Sequence, residues 1–140
     1  MQAENYRSHC PINLAVEVIG DKWSLIIIRD LMFGDKRHFR EFLAGEEKIA
    51  SNILTDRLAR LEAEGVITKK SDPDHKQKFI YTLTAKGIDL LPIIIELGTW
   101  SLKYQPVDLK RFPHAKQLSR GSKDAILKVK RGLLKKHLHS

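Results

Sequence analysis

At Gly65 the spacing of apolar residues changes, and this change decides much of the fold. From about residue 11 to residue 64, apolar residues recur at intervals of three and four, as on one face of a helix. The segments VITKKS (66–71) and KFIYTL (78–83) are rich in β-branched and aromatic residues, which is typical of strands. The loop between them contains Pro73, so the two strands are predicted to form a hairpin. The predicted fold class is α+β, mostly α.

Four helices are predicted before the hairpin. They cover residues 11–19, about 22–33, 38–43 and about 50–64. Proline opens the first helix, where its missing N–H is tolerated, and Gly65 is predicted at the C′ position of the fourth. In the first helix Ile12, Ala15, Val16 and Ile19 follow at helical spacing. In the next three helices the side chains predicted to face inward are Trp23, Ile26, Ile27, Leu31, Phe39, Phe42, Leu43, Ile53, Leu54, Leu58 and Leu61.

A further helix is predicted after the hairpin, over residues 85–104 with Thr84 as its cap. Pro92 is expected to kink this helix. The segment is apolar nearly all round, so burying it requires a second surface, and a second copy of the chain is the simplest source.

The positive charge of the chain is concentrated near its end. The net charge is +8, and residues 105–140 hold ten Lys and Arg against only Asp108 and Asp124, which accounts for all of it. The predicted organisation is a domain over 9–104, a linker over 105–121, and a basic amphipathic C-terminal helix or tail over 122–140. Such a tail attracts nucleic acid or an anionic membrane, although an ordinary solvated helix face is the alternative.

Composition excludes several classes of protein. The longest apolar runs are far below the roughly 18–20 residues that a membrane span requires, and the first ten residues lack the apolar core of a secretory signal. Cys10 is the only cysteine among 140 residues and cannot form a disulfide within the chain. We therefore expect a cytoplasmic protein with no membrane partner.

The last three of these four helices are followed by the hairpin, and the longest of them lies directly before it. This arrangement is that of a winged helix-turn-helix. A helix about 10–12 Å wide fits a DNA major groove about 12 Å wide, and the N-terminal half of the recognition helix meets the base edges. In the predicted helix 50–64 this half carries Ser51, Asn52, Thr55 and Arg57. Asn suits adenine and Arg suits guanine; ordinary polar surface and helix capping are the alternative role for these side chains.

Two neighbouring elements are predicted to bind phosphate. Arg37, His38 and Arg40 lie at the start of the short third helix, whose N-terminal dipole favours anions. His75, Lys76 and Lys78 place positive charge in the hairpin loop, or wing. The recognition helix itself is not basic, so affinity must come from these neighbours while the helix supplies selectivity. Double-stranded DNA is the predicted partner.

Several spaced motifs over residues 9–104 resemble the HxlR-type transcription regulators, a branch of the winged-helix proteins within the MarR-like superfamily. They are CPINLAVEVIGDKWSLIIIRDLMFGDKRHFREF, IASNILTDRLARLEAEGVI, YTLTAKG and LLPIIIELGTW. In two places the chain departs from the family pattern. Ala50 stands where the family usually has a serine cap, so Ser51 is the candidate cap, and the loop GEEK (45–48) is unusually acidic.

The resemblance implies a bacterial-type, homodimeric regulator that binds a partly palindromic operator. It implies a dimer interface formed by the first helix and the last helix of the domain. The residues predicted there are Ile12, Val16, Leu91, Ile94, Ile95 and Trp100. The effector, the operator sequence and the sign of regulation stay open.

Cys10 is the candidate redox residue, since some members of the family are reported to sense oxidants or electrophiles through a cysteine at this position. His9, Arg7 and the following helix N-terminus are each expected to favour its thiolate. Oxidation or alkylation of this thiol would then modulate DNA binding. An inert thiol is the alternative.

Other classes of function have little support in the sequence. Pairing Cys10 with His9, His38 or His75 gives no orienting third group for nucleophilic catalysis, and no Gly-rich phosphate loop is present. The six histidines show no usual zinc spacing. The chain is therefore not expected to be an enzyme or to hold a cofactor or a metal. The alternative function is a winged-helix module for protein interaction or non-specific DNA binding.

Overall fold

The computed structural model of the chain describes residues 5–113, 115–116 and 123–138. Parts of the predicted linker and tail, at residues 114, 117–122 and 139–140, lie outside the described residues. The elements in chain order are α1 (Pro11–Ile19), α2 (Ser24–Phe33), α3 (Phe39–Leu43), α4 (Ser51–Ala63), β1 (Ile67–Ser71), β2 (Phe79–Leu83), α5 (Ala85–Ile88), α6 (Leu91–Tyr104) and α7 (Lys123–Leu138). The mostly helical fold with one hairpin is thus confirmed.

The chain divides into two compact units, Met1–Gly87 and Ile88–Ser140. This boundary differs from the predicted organisation. The domain predicted over 9–104 is divided after Gly87, and the linker predicted over 105–121 falls inside the second unit, between α6 and α7.

The first unit is built around α2, α3 and α4, with the hairpin packed against α2 and α4. Ile28, Leu31 and Leu54 are fully buried at its centre. Of the apolar residues at helical spacing in α1, Ile12, Ala15 and Val16 are exposed, because α1 covers the core only toward its C-terminal end at Ile19.

Helix α2 begins two residues later than predicted, at Ser24. The Asp21 carboxylate accepts the backbone N–H groups of Trp23 and Ser24, both at 2.9 Å, and so caps the turn that leads into the helix. Trp23 lies in this turn and is half-buried, as are Ile26, Phe39, Leu43 and Ile53, whereas Ile27, Leu31, Phe42, Leu54, Leu58 and Leu61 are buried as predicted.

The predicted end of α4 at Gly65 is confirmed. Gly65 has a φ of +74°, the left-handed conformation that favours glycine after a helix. The N–H of Val66 donates to the carbonyl of Leu61 at 2.9 Å, which closes a Schellman turn. The chain leaves α4 in this turn and enters β1 directly.

The strands β1 and β2 form an antiparallel pair with Ile67 opposite Leu83 and Ser71 opposite Phe79. The end near α4 is buried through Ile67, Tyr81 and Leu83, while the far end is exposed. The hairpin is therefore anchored at its base and projects its loop into solvent, as a wing does.

The helix predicted over 85–104 is divided into α5 and α6, so the expectation of a single kinked helix is wrong. Pro92 lies in the first turn of α6, where a missing N–H costs nothing, instead of in the middle of a continuous helix. Thr84 is the predicted cap of α5, and its hydroxyl accepts the N–H of Gly87 at 3.1 Å.

Helix α7 is amphipathic as predicted and starts at Lys123. Leu133 and His137 are buried, and Ile126 and Val129 are half-buried on the same side. Within the described residues, no helix combines the length and apolar character needed to cross a membrane.

Candidate DNA interface

The N-terminal half of α4 presents polar side chains to solvent. Leu54 and Leu58 are buried on its inner side, which leaves Ser51, Asn52 and Thr55 exposed on the outer side. The Thr55 hydroxyl donates to the carbonyl of Ser51 at 2.9 Å and so retains its acceptor capacity for a ligand.

Ala50, and not Ser51, occupies the cap position of α4. The hypothesis that Ser51 caps the helix is therefore wrong, because Ser51 is already the first helical residue. Its side chain is exposed beside that of Asn52, at the end of the helix that enters a groove in helix-turn-helix proteins.

Arg57, predicted as a base contact, is engaged within the protein. Its Nε lies 3.0 Å from Oδ1 of Asp21, and its Nη1 contacts the carboxylate of Asp56. The hydrogen bond to Asp21 comes first among the contacts that raise the pKa of Arg57, and the contact with Asp56 adds to it. This ion pair links the middle of α4 to the turn before α2.

Asp21 is the centre of this link. Besides Arg57 and two backbone N–H groups, it accepts the Ser24 hydroxyl at 2.6 Å. Burial acts to raise the pKa of Asp21, but the hydrogen bonds from Ser24, Trp23 and Arg57 together outweigh it and lower the pKa to about 2. A carboxylate with so low a pKa stays charged and holds α2 and α4 together.

His38 connects the start of α3 with Asp72, the first residue of the wing loop after β1. Its Nδ1 lies 3.0 Å from Oε1 of Glu41 and its Nε2 lies 3.0 Å from Oδ2 of Asp72. The contact with Asp72, followed by that with Glu41, raises the pKa of His38. The backbone N–H of Asp74, followed by His38, lowers the pKa of Asp72. Both ring nitrogens of His38 therefore face carboxylates, which differs from its predicted role of gripping phosphate.

The backbone and the aromatic side chains tie the wing to α3 as well. The N–H of Tyr81 in β2 donates to the carbonyl of Arg37 at 2.9 Å. The rings of Phe42 and Tyr81 meet edge to face with centroids 6.2 Å apart. Three contacts, including the one between His38 and Asp72, thus fix the wing next to the N-terminus of α3.

The remaining basic residues of the predicted interface are placed on the surface of these elements. Arg40 is exposed on α3, and His75, Lys76 and Lys78 are exposed in the wing loop. Arg37 is half-buried, its burial lowers its pKa, and its Nε has no hydrogen-bond partner among the described residues.

One charged network was not predicted from the sequence. Arg29 on α2 binds Glu47 at 2.7 Å and Asp30 at 2.8 Å, and Lys36 lies 3.2 Å from Asp30. The contact with Arg29 comes first among the causes that lower the pKa of Glu47 to about 2. The acidic loop GEEK therefore holds the turn between α3 and α4 against α2, and its unusual charge was the available signal.

Cys10 is exposed immediately before α1. The backbone N–H groups of Asn13 and then Ile12 lower the pKa of its thiol, as expected at a helix N-terminus. The expected help from the neighbouring side chains is absent from the contacts: Arg7 donates to Asn13 at 2.6 Å, and His9 contacts the ring of Tyr6.

The residues predicted for dimerisation differ in their exposure. Leu91 and Ile95 are buried within the chain, so they offer no free surface, and Ile94 is half-buried. Ile12, Val16 and Trp100 are exposed. On the outer side of α6, four exposed apolar residues follow one another at helical spacing, and we name them the α6 stripe: Ile93, Leu97, Trp100 and Tyr104.

Among the residues that the structure describes, no group of three or more His, Cys, Asp or Glu side chains is arranged to hold a metal ion.

Helices α2 to α4 with an anchored wing and an exposed recognition helix define a winged helix-turn-helix DNA-binding protein. A family model described as HxlR-like helix-turn-helix matches residues 18–108. The chain belongs to this HxlR-like family. It is a transcription regulator of helix-turn-helix type, not an enzyme.

Named relatives agree with this assignment. The chain is 36% identical to the uncharacterized HTH-type transcriptional regulator YdeP of Bacillus subtilis, over 69% of this chain and 74% of YdeP. The structure of the reduced form of the transcriptional regulator YodB from B. subtilis is similar, with a TM-score of 0.58 and 30% identity over 72% of this chain and all of YodB. The oxidized form of the redox regulator HypR has a TM-score of 0.61 and 31% identity, over 70% of this chain and all of HypR.

Proposed function

We propose that the chain is a homodimeric, sequence-specific regulator that binds a partly palindromic operator in double-stranded DNA. The observation that carries this proposal is the exposed N-terminal half of α4, held on a rigid support by buried leucines on one side and by the pair of Asp21 and Arg57 on another. A rigid support matters because base readout requires side chains placed within a fraction of an ångström.

Base selection is assigned to Asn52, with Ser51 and Thr55 beside it. The Asn52 amide can donate to and accept from adenine at the same time, and a good bidentate contact of this kind discriminates by about 1–3 kcal/mol. Arg57 remains a candidate base contact through the part of its guanidinium that faces away from Asp21. Its main role is to position α4, because its Nε and Nη1 are already used.

Phosphate binding is assigned to the surface around the wing. Arg40 with His75, Lys76 and Lys78 supplies exposed positive charge there. Arg37 adds a half-buried guanidinium just before α3, and His38 holds the start of α3 against the beginning of the wing loop at Asp72. These contacts supply affinity for any sequence, whereas α4 supplies selectivity.

Dimerisation is assigned to the exposed apolar residues of α1 and α6. In the α6 stripe, Trp100 is 56% exposed and Tyr104 is 60% exposed, which is unusual for such large side chains on a single chain. A second copy would cover this surface and place two recognition helices on one DNA molecule, which is the reason to expect a palindromic operator.

The proposal is tested by fluorescence anisotropy on DNA flanking the gene of this protein and on an unrelated fragment. The wild type should prefer one flanking fragment by roughly 10³ or more, with two chains per site. Asn52→Ala should reduce the affinity for that fragment about 10- to 100-fold and leave binding to unrelated DNA unchanged. The control Gln105→Ala, which removes an exposed amide outside the interface, should change neither.

Equal binding of both fragments by the wild type, or an equal effect of Asn52→Ala on both, would favour the alternative. The chain would then be a winged-helix module for protein interaction or non-specific DNA binding.

We further propose that oxidation or alkylation of Cys10 modulates DNA binding. An exposed thiol at a helix N-terminus, with a lowered pKa, supports this role, and the related structure of HypR is named a redox regulator. Treatment with a mild oxidant should change the operator affinity of the wild type but not that of Cys10→Ser. The same response in both proteins, or in neither, would contradict the proposal.

A further inference from the structure

The positive charge on α7 forms a pattern that the winged helix does not use. At 100° per residue, Lys128, Arg131 and Lys135 fall within about 60° of one another around the helix axis. They lie directly opposite the buried side, which is centred near Leu133. We call these three residues the basic stripe.

All three residues of the basic stripe are exposed, and none forms an ion pair or hydrogen bond with any residue that the structure describes. The spacings of three and four residues place like charges next to each other, which destabilises a helix on its own. The only acidic residue of α7 is Asp124, one turn before the stripe. Asp124 lies on the same side of the helix, four residues before Lys128, but Arg131 and Lys135 have no acidic residue within four positions along α7, so most of this positive charge is uncompensated within the helix.

We propose that the basic stripe of α7 binds the phosphate backbone of DNA, outside the contacts made by the winged helix. Seven residues of helix cover about 10 Å, which corresponds to about three phosphates of one DNA strand along the duplex axis. Three cations thus meet about three phosphates. The inference rests on the proposed function, since it takes the DNA of a transcription regulator as the available polyanion.

An anionic membrane is the weaker partner for the same stripe. A helix that lies on a membrane inserts the apolar side opposite its charged side. In α7 that side is already occupied, because Leu133 and His137 are buried within the chain. Attraction to lipid would therefore have to be purely electrostatic.

The test measures the salt dependence of binding to a short duplex of arbitrary sequence. The stripe variant replaces Lys128, Arg131 and Lys135 with Gln, and Gln preserves helix propensity. The control replaces the other three lysines of α7, Lys123, Lys130 and Lys136, with Gln; Lys130 lies 3.9 Å from Asp89 within the chain and is not expected to bind a phosphate. Both variants have the same net charge, so a difference between them reports the position of the charge and not its amount.

The stripe variant should lose about 2 to 3 from the slope of log Kobs against log salt concentration, since each phosphate contact contributes about 0.9. Between about 50 and 200 mM salt, the wild type should therefore lose about 40-fold more affinity than the stripe variant loses. The control variant should change the slope by less than about 1. Circular dichroism verifies that both variants keep their helix content.

Equal slopes for the stripe variant and the control, or an unchanged slope for both, would overturn the inference. So would stripe-dependent binding to phosphatidylserine vesicles together with an unchanged DNA slope, which would assign the surface to a membrane.

Failure of the proposed function gives a different result. If no flanking DNA is preferred but the stripe variant still lowers the slope, the stripe binds DNA and the operator hypothesis fails. If an operator is preferred and the slope stays unchanged, only the inference about α7 fails.

Discussion

Replacing Asp21 with Asn isolates the charge that holds α4 against the turn before α2. Asn is as good a helix cap as Asp, so Asp21→Asn keeps a cap and removes the ion pair with Arg57. The hydrogen bonds from Ser24 and Trp23, followed by that from Arg57, lower the pKa of Asp21 from its ordinary value of 3.8 to about 2, which corresponds to about 2 kcal/mol for the charge as a whole. The side chain is 25% exposed, and solvent screening places the expected loss of stability at pH 7 between about 1 and 2 kcal/mol.

The sign of the pH dependence follows from the direction of this shift. Because the pKa is lower in the folded state, the stabilisation is present above pH 3.8 and is lost as the pH falls toward 2. The difference between wild type and Asp21→Asn should shrink by about half between pH 7 and pH 3.

Urea unfolding at equal protein concentrations measures this difference. The control Asp74→Asn removes an exposed carboxylate of the wing loop and should change stability by no more than about 0.5 kcal/mol. A loss for Asp21→Asn that stays constant from pH 7 to pH 3 would show that the charge is not the source of the stabilisation, and the reasoning would be refuted.

Four further predictions concern other parts of the fold. His38 has a raised pKa, so the stability that it contributes should be complete below about pH 6.5 and lost as the pH rises through the folded-state value. Urea midpoints of wild type and His38→Gln should therefore converge between pH 6 and pH 8.5, and a constant gap would contradict this. If the proposed dimer forms through the α6 stripe, Trp100→Glu, which puts a charge in the stripe, should make the protein monomeric in sedimentation velocity. Gln105→Glu adds the same charge off the stripe and should leave the dimer intact. A dimeric Trp100→Glu would place the interface elsewhere. Gly65→Ala should lower the free energy of unfolding by about 1–2 kcal/mol because of its φ of +74°, although no atom lies within 4 Å of the added Cβ. Gly98→Ala, in an open helical position, should stabilise the chain by about 0.5–1 kcal/mol in the same assay.

The fold was largely predictable because local signals and packing agree in the first unit. The change of apolar spacing at Gly65 identified the hairpin, and Gly65 itself has the backbone conformation that its position implied. The division between α5 and α6 was missed because an apolar run indicates burial but not helix continuity. Pro92 was read as a kink, although proline is equally suited to the first turn of a new helix.

The sequence predicted on which elements the candidate site residues lie, but not which side chains they pair with. The sequence indicates that Arg57 lies on the recognition helix and His38 at the start of α3. It does not indicate that Asp21, 36 residues before Arg57, or Asp72, 34 residues after His38, would meet them. Such partners are brought together by the tertiary fold, so a cation that looks available for DNA can already be neutralised within the protein.

The pairing of these cations supports the proposed separation between base selection by α4 and phosphate binding by other elements. The charges of the two arginines of α4 are balanced by Asp56 and Glu62. Both arginines lie within ion-pair distance of Asp56, and Arg57 is also paired with Asp21, so the recognition helix brings little net positive charge to the groove. Phosphate affinity must then come from the surroundings of the wing and, by our inference, from α7. Changes on the outer side of α4 are expected to alter sequence preference at constant salt dependence, and changes on the basic stripe are expected to do the reverse. Substitutions on α4 are therefore expected to change the preferred operator and to leave the sequence-independent affinity for DNA unchanged.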